Sequence, residues 1–239
     1  MDLKNKKVTI FFFCVSLLFP NSDCKGCGED LDFEISEHIW NGKRVTGNAY
    51  PWMAFIYNYD RDSIGLDERT LDLPDPCKQR KTPKNTTATA SKGSICGGSV
   101  ISSQYILTAA HCVACRTVND TAVVLGENIV EVNPQQTHFV FLDKIYVYPD
   151  YVRGLEVDFR NNPDIALLKL EFSVNYGPRI NAICLPSNPS SLYEGEIMVI
   201  AGWGVTENGE PSDKLLKADV NVIPNNECKI WPKYEFLKR

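Results

Sequence analysis

Residues 96–112 read CGGSVISSQYILTAAHC, and the fold turns on how this stretch is read. An apolar run from Val100 to Ala110 ends on His111, and Cys96 and Cys112 bracket the segment. The run has the composition of a strand, so strand structure delivers the histidine to a fixed place.

Working outward, similar short apolar runs recur along the chain. They are Trp52–Ile56, Thr121–Leu125, Phe139–Leu142, Ile165–Leu168 and Met198–Ala201, each separated from the next by turn residues. Runs this short, rich in β-branched and aromatic residues, favour strands over helices. No 3.6-period segment of helix length stands out, and no internal repeat is visible. The expectation is an all-β barrel or sandwich.

The chain has 239 residues, of which 44% are hydrophobic, enough for one large domain or two small ones with real cores. A formal net charge of −5 gives no basis for nucleic acid as a partner. At the N-terminus, Lys4, Lys6 and Lys7 precede the apolar run Val8–Phe19, and Pro20 to Ser22 supply a break and a small residue. This is the pattern of a signal peptide over residues 1–22, with an apolar core too short to span a bilayer. Removing it takes three lysines and one aspartate, so the charge moves from −5 to about −7. No later segment reads as a membrane span, and the expected localisation is secreted.

Of nine cysteines, Cys14 lies in the signal core, and the other eight suit an oxidising compartment. Asn85-Thr-Thr and Asn119-Asp-Thr lie in polar, loop-like stretches and are candidate glycosylation sites in a secreted chain. Residues 23–38 (DCKGCGEDLDFEISEH) are short, acidic and polar, and read as a leader without a core of its own. Residues 60–93, with Pro74, Pro76 and Pro83 and many charges, read as a long surface insertion.

Six motifs, in one order and at one set of spacings, resemble the trypsin- and chymotrypsin-like serine peptidases. Thr108-Ala-Ala-His-Cys112 resembles the segment of the general base. Ile39-Trp-Asn-Gly42 with Pro51-Trp52 resembles the mature N-terminus. Asn162-Pro-Asp-Ile-Ala-Leu-Leu-Lys-Leu170 resembles the segment of the triad aspartate. Ile183-Cys-Leu-Pro186, Ala201-Gly-Trp-Gly204 and Asn226-Glu-Cys228 resemble the inter-barrel linker, a glycine turn and a cysteine segment beyond it. The resemblance runs from Ile39 to the end of the sequence. It implies a trypsin-like double six-stranded antiparallel β-barrel over residues 39–239, with the second barrel incomplete in this chain.

In that family a serine hydroxyl attacks the peptide carbonyl, a histidine takes its proton, and a buried aspartate orients the imidazole. The resemblance therefore implies His111 as the base and Asp164 as the orienting carboxylate, 53 positions later. An aspartate entering an apolar run is costly to bury unless paired, which agrees with that role. No serine follows in the family's glycine-flanked pattern. Ser173, Ser187, Ser190, Ser191 and Ser212 all read as loop and turn residues. The segments that carry the nucleophile, the oxyanion hole and the primary specificity pocket are not found up to Arg239. The expectation is no peptidase activity for these 239 residues.

The resemblance also implies Ile39 as the mature N-terminus of a zymogen, although His38 precedes it rather than a basic residue. It implies a Cys96–Cys112 bridge beside the histidine. Cys77–Cys115 is a candidate bridge, and Cys184 is a candidate partner for Cys24 or Cys27, tethering the leader. The resemblance places the usual partner of Cys228 beyond Arg239, and one of Cys24 and Cys27 is also left over; an odd thiol in a secreted chain points to a missing C-terminal part. Leu125-Gly-Glu-Asn128, with Glu127 and Glu131, weakly resembles a calcium loop, but Pro134, Gln135 and Gln136 replace its later acidic ligands. No metal or cofactor is expected. Protein or peptide substrates, an activating protease and protein inhibitors are the implied partners. The alternative reading is a non-catalytic peptidase homologue acting as a binding or regulatory module.

Overall fold

The structure is a computed structural model. It describes residues 43–45, 47, 49–59, 94–129, 139–155, 162–186, 193–206 and 209–224. The signal peptide, the leader, Ile39, the 60–93 insertion with Cys77 and Asn85, Glu131, Ser187, Ser190, Ser191 and Cys228 lie outside them.

Among the described residues there are ten strands, in two antiparallel sheets, and one short helix. The larger sheet contains β2 (Met53–Asn58), β3 (Ser94–Ser102), β4 (Tyr105–Thr108), β5 (Thr121–Leu125), β6 (Phe139–Val140), β7 (Leu142–Val147) and β8 (Ala166–Leu170), in the order β6-β5-β2-β3-β4-β8-β7. The two ends of that order are one stretch of chain interrupted at Phe141. Its first half pairs with β5 (Val123 opposite Val140), and its second half pairs with β8 (Leu142 opposite Leu170). One kinked strand thus serves both edges, and the sheet closes into a barrel of six strands. The smaller sheet holds β1 (Lys43–Arg44), β10 (Leu216–Asn221) and β9 (Ile197–Gly202), in that order.

The apolar runs form these strands because each has a face to bury. Along β8 the pattern is strictly alternating, with Ala166, Leu168 and Leu170 buried in the barrel core. Strands β2 and β5 are buried on both faces. Ala54, Ile56, Val123 and Leu125 point into the barrel, and Met53, Phe55 and Val124 point into a second core with Val45, Trp203 and Leu215. This second core joins the two sheets. Phe55 meets Trp203 edge to face at 5.4 Å between ring centroids. The Asn128 carbonyl accepts from both the Leu215 backbone N–H (2.6 Å) and the Trp203 indole N–H (3.2 Å).

Packing is close where β3 crosses β2 and β4. A Cβ on Gly98 would stand 2.8 Å from Ile106 Cγ2 and 3.0 Å from the Leu107 carbonyl oxygen. Glycine is needed there for close approach rather than for an unusual backbone conformation.

Two readings of the sequence change in detail. Val100–Ala110 is not one strand but the end of β3, a turn, and β4. Ser102 Oγ accepts from the Gln104 backbone N–H at 3.4 Å, closing the turn. The Gln104 side chain and backbone are held by the Leu170 carbonyl and N–H. His111 is therefore not on a strand end. It lies in α1 (Ala110–Val113), a helix of four residues that periodicity is too short to reveal.

Candidate active site

Helix α1 is too short to stand on propensity, so its ends are held from outside. Its N-cap, Ala109, has no side-chain oxygen to offer. Asp164 supplies one across the fold: its Oδ1 accepts from the His111 backbone N–H at 2.7 Å. At the other end the Asn58 side-chain amide donates to the Cys112 carbonyl at 3.2 Å, satisfying a carbonyl the helix leaves open. Asn58 is fully buried at the end of β2, and its Oδ1 accepts from the Thr121 hydroxyl at 3.0 Å. The Cys96–Cys112 disulfide ties α1 to β3, as the resemblance implied. The Thr108 hydroxyl, buried one turn earlier, donates to the Gly97 carbonyl at 2.8 Å.

The side chains meet at the same place. His111 Nδ1 lies 2.5 Å from Asp164 Oδ2, with 42% of the His111 side chain and 14% of the Asp164 side chain exposed. A carboxylate can only accept, so the proton of a neutral imidazole belongs on Nδ1. Nε2 is then the basic nitrogen, the atom that accepts a proton in general-base chemistry.

Asp164 is placed by its own neighbours. Asn162, 2% exposed, accepts from the Val152 N–H (2.6 Å) and donates to the carbonyls of Val152 (3.1 Å) and Leu155 (3.3 Å). Pro163 follows with a restricted backbone. The Tyr148 N–H donates to the Ile165 carbonyl, joining the end of β7 to the approach to β8. Tyr151, half-buried, has its phenol pKa raised, first by burial and then by the negative charge of Asp164, with Arg153 opposing.

Cys115 and Cys184 are also disulfide-bonded, with partners outside the described residues. Cys96, His111 and Cys112 lie within 4.8 Å, as metal ligands would, but the two sulfurs are bonded to each other and offer no thiolate. Glu127, the described acid of the weak calcium motif, faces the Arg179 guanidinium at 2.8 Å, and the Asn128 side-chain amide donates to the Gly47 carbonyl. These groups are satisfied without a cation. Of the serines after Asp164 that are described, Ser173 is exposed, and the Ser212 hydroxyl accepts from the Lys214 backbone N–H. Among the described contacts of His111, neither serine is a partner. No helix among the described residues is long and apolar enough to cross a membrane.

Sequence reasoning did not single out Asn58 or Tyr151, and Thr108 and Asn162 entered only as parts of motifs. Asn58 left one trace, a polar residue at the end of an otherwise apolar run in phase with inward-facing Ala54 and Ile56.

A closed six-stranded barrel joined to a second antiparallel sheet, with a histidine and an aspartate paired at its rim, defines the class of two-barrel serine peptidases. The comparisons agree. The Trypsin family model matches residues 75–237, and the chain belongs to the trypsin family of serine peptidases. It is 31% identical to melanization protease 1 of Drosophila melanogaster, over 84% of this chain and 46% of that protein. It is 30% identical to phenoloxidase-activating factor 3 of Holotrichia diomphalia, over 90% of this chain and 56% of that protein. A third relative, venom serine protease 34 of Apis mellifera, is 34% identical over 57% of this chain and 34% of that protein. The chain thus spans about half or less of the curated relatives it matches. A solved structure titled "Structure of GrC" shares the fold, with a TM-score of 0.56 at 22% identity, over 79% of this chain and 67% of that one.

Proposed function

We propose that this chain carries the base and the orienting acid of a secreted serine endopeptidase that hydrolyses peptide bonds in protein substrates. The observation that carries this reading is the double contact between His111 and Asp164, to the backbone N–H and to Nδ1. His111 takes the proton of the serine nucleophile at Nε2 and later returns it to the leaving amine. Asp164 holds the imidazole in the Nδ1–H form and stabilises the imidazolium. These are the family's established roles, taken over by position.

The export signal (1–22), the leader (23–38) and a peptidase domain starting at Ile39 belong to the same proposal. So do activation by another protease, control by protein inhibitors and a leader tethered through Cys184. The names of two relatives, a melanization protease and a phenoloxidase-activating factor, favour a protein substrate, with melanization or phenoloxidase activation as the setting.

No serine between residues 165 and 239 has the flanking sequence of the nucleophile. This favours a second reading for these 239 residues taken alone, a non-catalytic homologue that binds rather than cleaves. One experiment tests both. The 239-residue chain should show no turnover of peptide substrates and no labelling by a fluorophosphonate. A chimera that appends the serine-bearing C-terminal segment of another trypsin-family peptidase should label, and His111→Ala should abolish the label. Labelling of Ser173 or Ser212 in the chain itself would refute the assignment. A folded chimera that never labels would support the non-catalytic reading.

A further inference from the structure

We propose that Asn119 is an N-glycosylation site that can be filled only before the first barrel closes, an inference that rests on the secretory reading above. The sequon Asn119-Asp120-Thr121 straddles a boundary in the fold. Asn119 is exposed in the turn between α1 and β5. Asp120 and Thr121 are buried, at 0% and 1% exposure.

The transferase that attaches the glycan must reach the threonine hydroxyl as well as the asparagine amide, on an accessible stretch of backbone. In the folded chain that hydroxyl is committed to Asn58 Oδ1 at 3.0 Å, inside the barrel. Thr121 is also paired in register with Asn58 in the β2–β5 ladder. The residue between them is locked as well. The Asp120 carboxylate accepts from the Thr117 N–H (2.6 Å) and hydroxyl (3.1 Å), with Arg116 at 3.7 Å, and the Asp120 carbonyl accepts from the Tyr59 N–H at 2.8 Å. Presenting Thr121 to an enzyme would mean opening β2 from β5. That would also release Asn58, and with it one tether of the helix carrying His111. The folded protein is therefore not a substrate, and the unfolded chain is.

The chemistry balances on the chain's own group. Asn119 Nδ2 forms a bond to the anomeric carbon of the first N-acetylglucosamine. The bond from that carbon to the diphosphate oxygen of the lipid carrier breaks. The lipid diphosphate leaves, and Nδ2 gives up one proton. Beside Asn119 lies an open hollow of about 440 Å³, lined in part by Tyr59, Val118, Phe141, Glu171 and Thr121, which is itself only 1% exposed. Neither His111 nor Asp164 lines that hollow.

The test uses the full chain in two arms. In a eukaryotic secretory host, peptide mapping after enzymatic deglycosylation in heavy-oxygen water reports occupancy at Asn119, with Asn85 as the internal standard. In vitro, never-glycosylated chain is offered to oligosaccharyltransferase and its lipid-linked donor, once folded and once reduced and unfolded. The expected result is a glycan on Asn119 of the secreted chain and, in vitro, transfer to the unfolded chain that is lost in the folded one. Equal transfer to both forms would overturn the proposal. So would a secreted chain with a sugar on Asn85 and a bare Asn119. A chain retained in the host with both asparagines bare counts against the secretory reading instead. The in vitro arm then decides alone, and an unfolded chain that refuses sugar at Asn119 sinks the inference.

Discussion

Asp164 holds His111 by two atoms of different kinds: Oδ1 takes the backbone N–H at 2.7 Å, and Oδ2 takes ring Nδ1 at 2.5 Å. The first contact caps a helix that has no side-chain cap of its own, and the second selects a tautomer. One carboxylate therefore both builds the support of the candidate base and sets its chemistry.

Substituting Asp164 separates these two effects. Asp164→Asn keeps an acceptor oxygen for the helix N–H but puts an amide donor where the ring proton should sit. In the serine-bearing chimera, kcat should fall about 10⁴-fold, the size of this change in the family's template. Stability of the chain should move much less. A variant as active as its parent would remove Asp164 from the mechanism.

Asn58→Ala leaves the Cys112 carbonyl and the Thr121 hydroxyl without their shared partner inside the barrel. Each orphaned group costs about 1–3 kcal/mol. Denaturant unfolding should show a clear drop in midpoint. An unchanged midpoint would mean that the Asn58 bridge contributes nothing net.

Breaking the Cys96–Cys112 bridge, which spans a sequence separation of 16, should cost roughly 3 kcal/mol by the loop-closure argument. The paired variant Cys96→Ala with Cys112→Ala, compared by thermal unfolding, measures it. A loss well under 1 kcal/mol would show that Asp164 and Asn58 already suffice to hold α1.

Gly98→Ala tests the close approach of β3 to its neighbours. The added methyl would meet Ile106 Cγ2 at 2.8 Å and a backbone carbonyl at 3.0 Å, and the carbonyl cannot move aside without disturbing β4. A destabilisation of about 1–3 kcal/mol is expected. Full stability would mean that the strands separate more easily than this contact suggests.

Alkaline pH should weaken the fold through Tyr151 and Tyr59, whose phenols are both raised above 10.0, chiefly by burial. The folded state holds these protons more tightly than the unfolded state does. Their contribution is thus fully present below pH 10 and is lost as pH rises through the folded values. Tyr151→Phe should flatten part of that loss. In Asp164→Asn, phenolate absorbance should place the Tyr151 titration lower than in the parent, because the second cause of its rise is gone. A Tyr151 titration indifferent to Asp164 would contradict the assigned coupling.

Much of this was legible in the chain of letters. Ala166, Leu168 and Leu170 alternate as a half-buried strand must, and the apolar pattern of β2 and β5 marks strands covered on both faces. His111, Asp164 and the Cys96–Cys112 bridge stood out because their neighbours repeat the motifs of a family; the structure brings the histidine and the aspartate into contact and forms the bridge.

Other features required the chain to be folded. That Phe141 divides one strand between two partners depends on β5 and β8 meeting it from opposite sides, and no local pattern encodes such closure. That His111 rides a four-residue helix depends on Asp164 and Asn58, which lie 53 and 54 positions from the groups they hold. Local sequence sets which residues prefer strands and which faces seek burial, because those preferences come from each residue and its near neighbours. The tethers of the site are long-range hydrogen bonds. They exist only once the barrel has brought distant backbone and side-chain groups within reach and removed the water that would otherwise satisfy them.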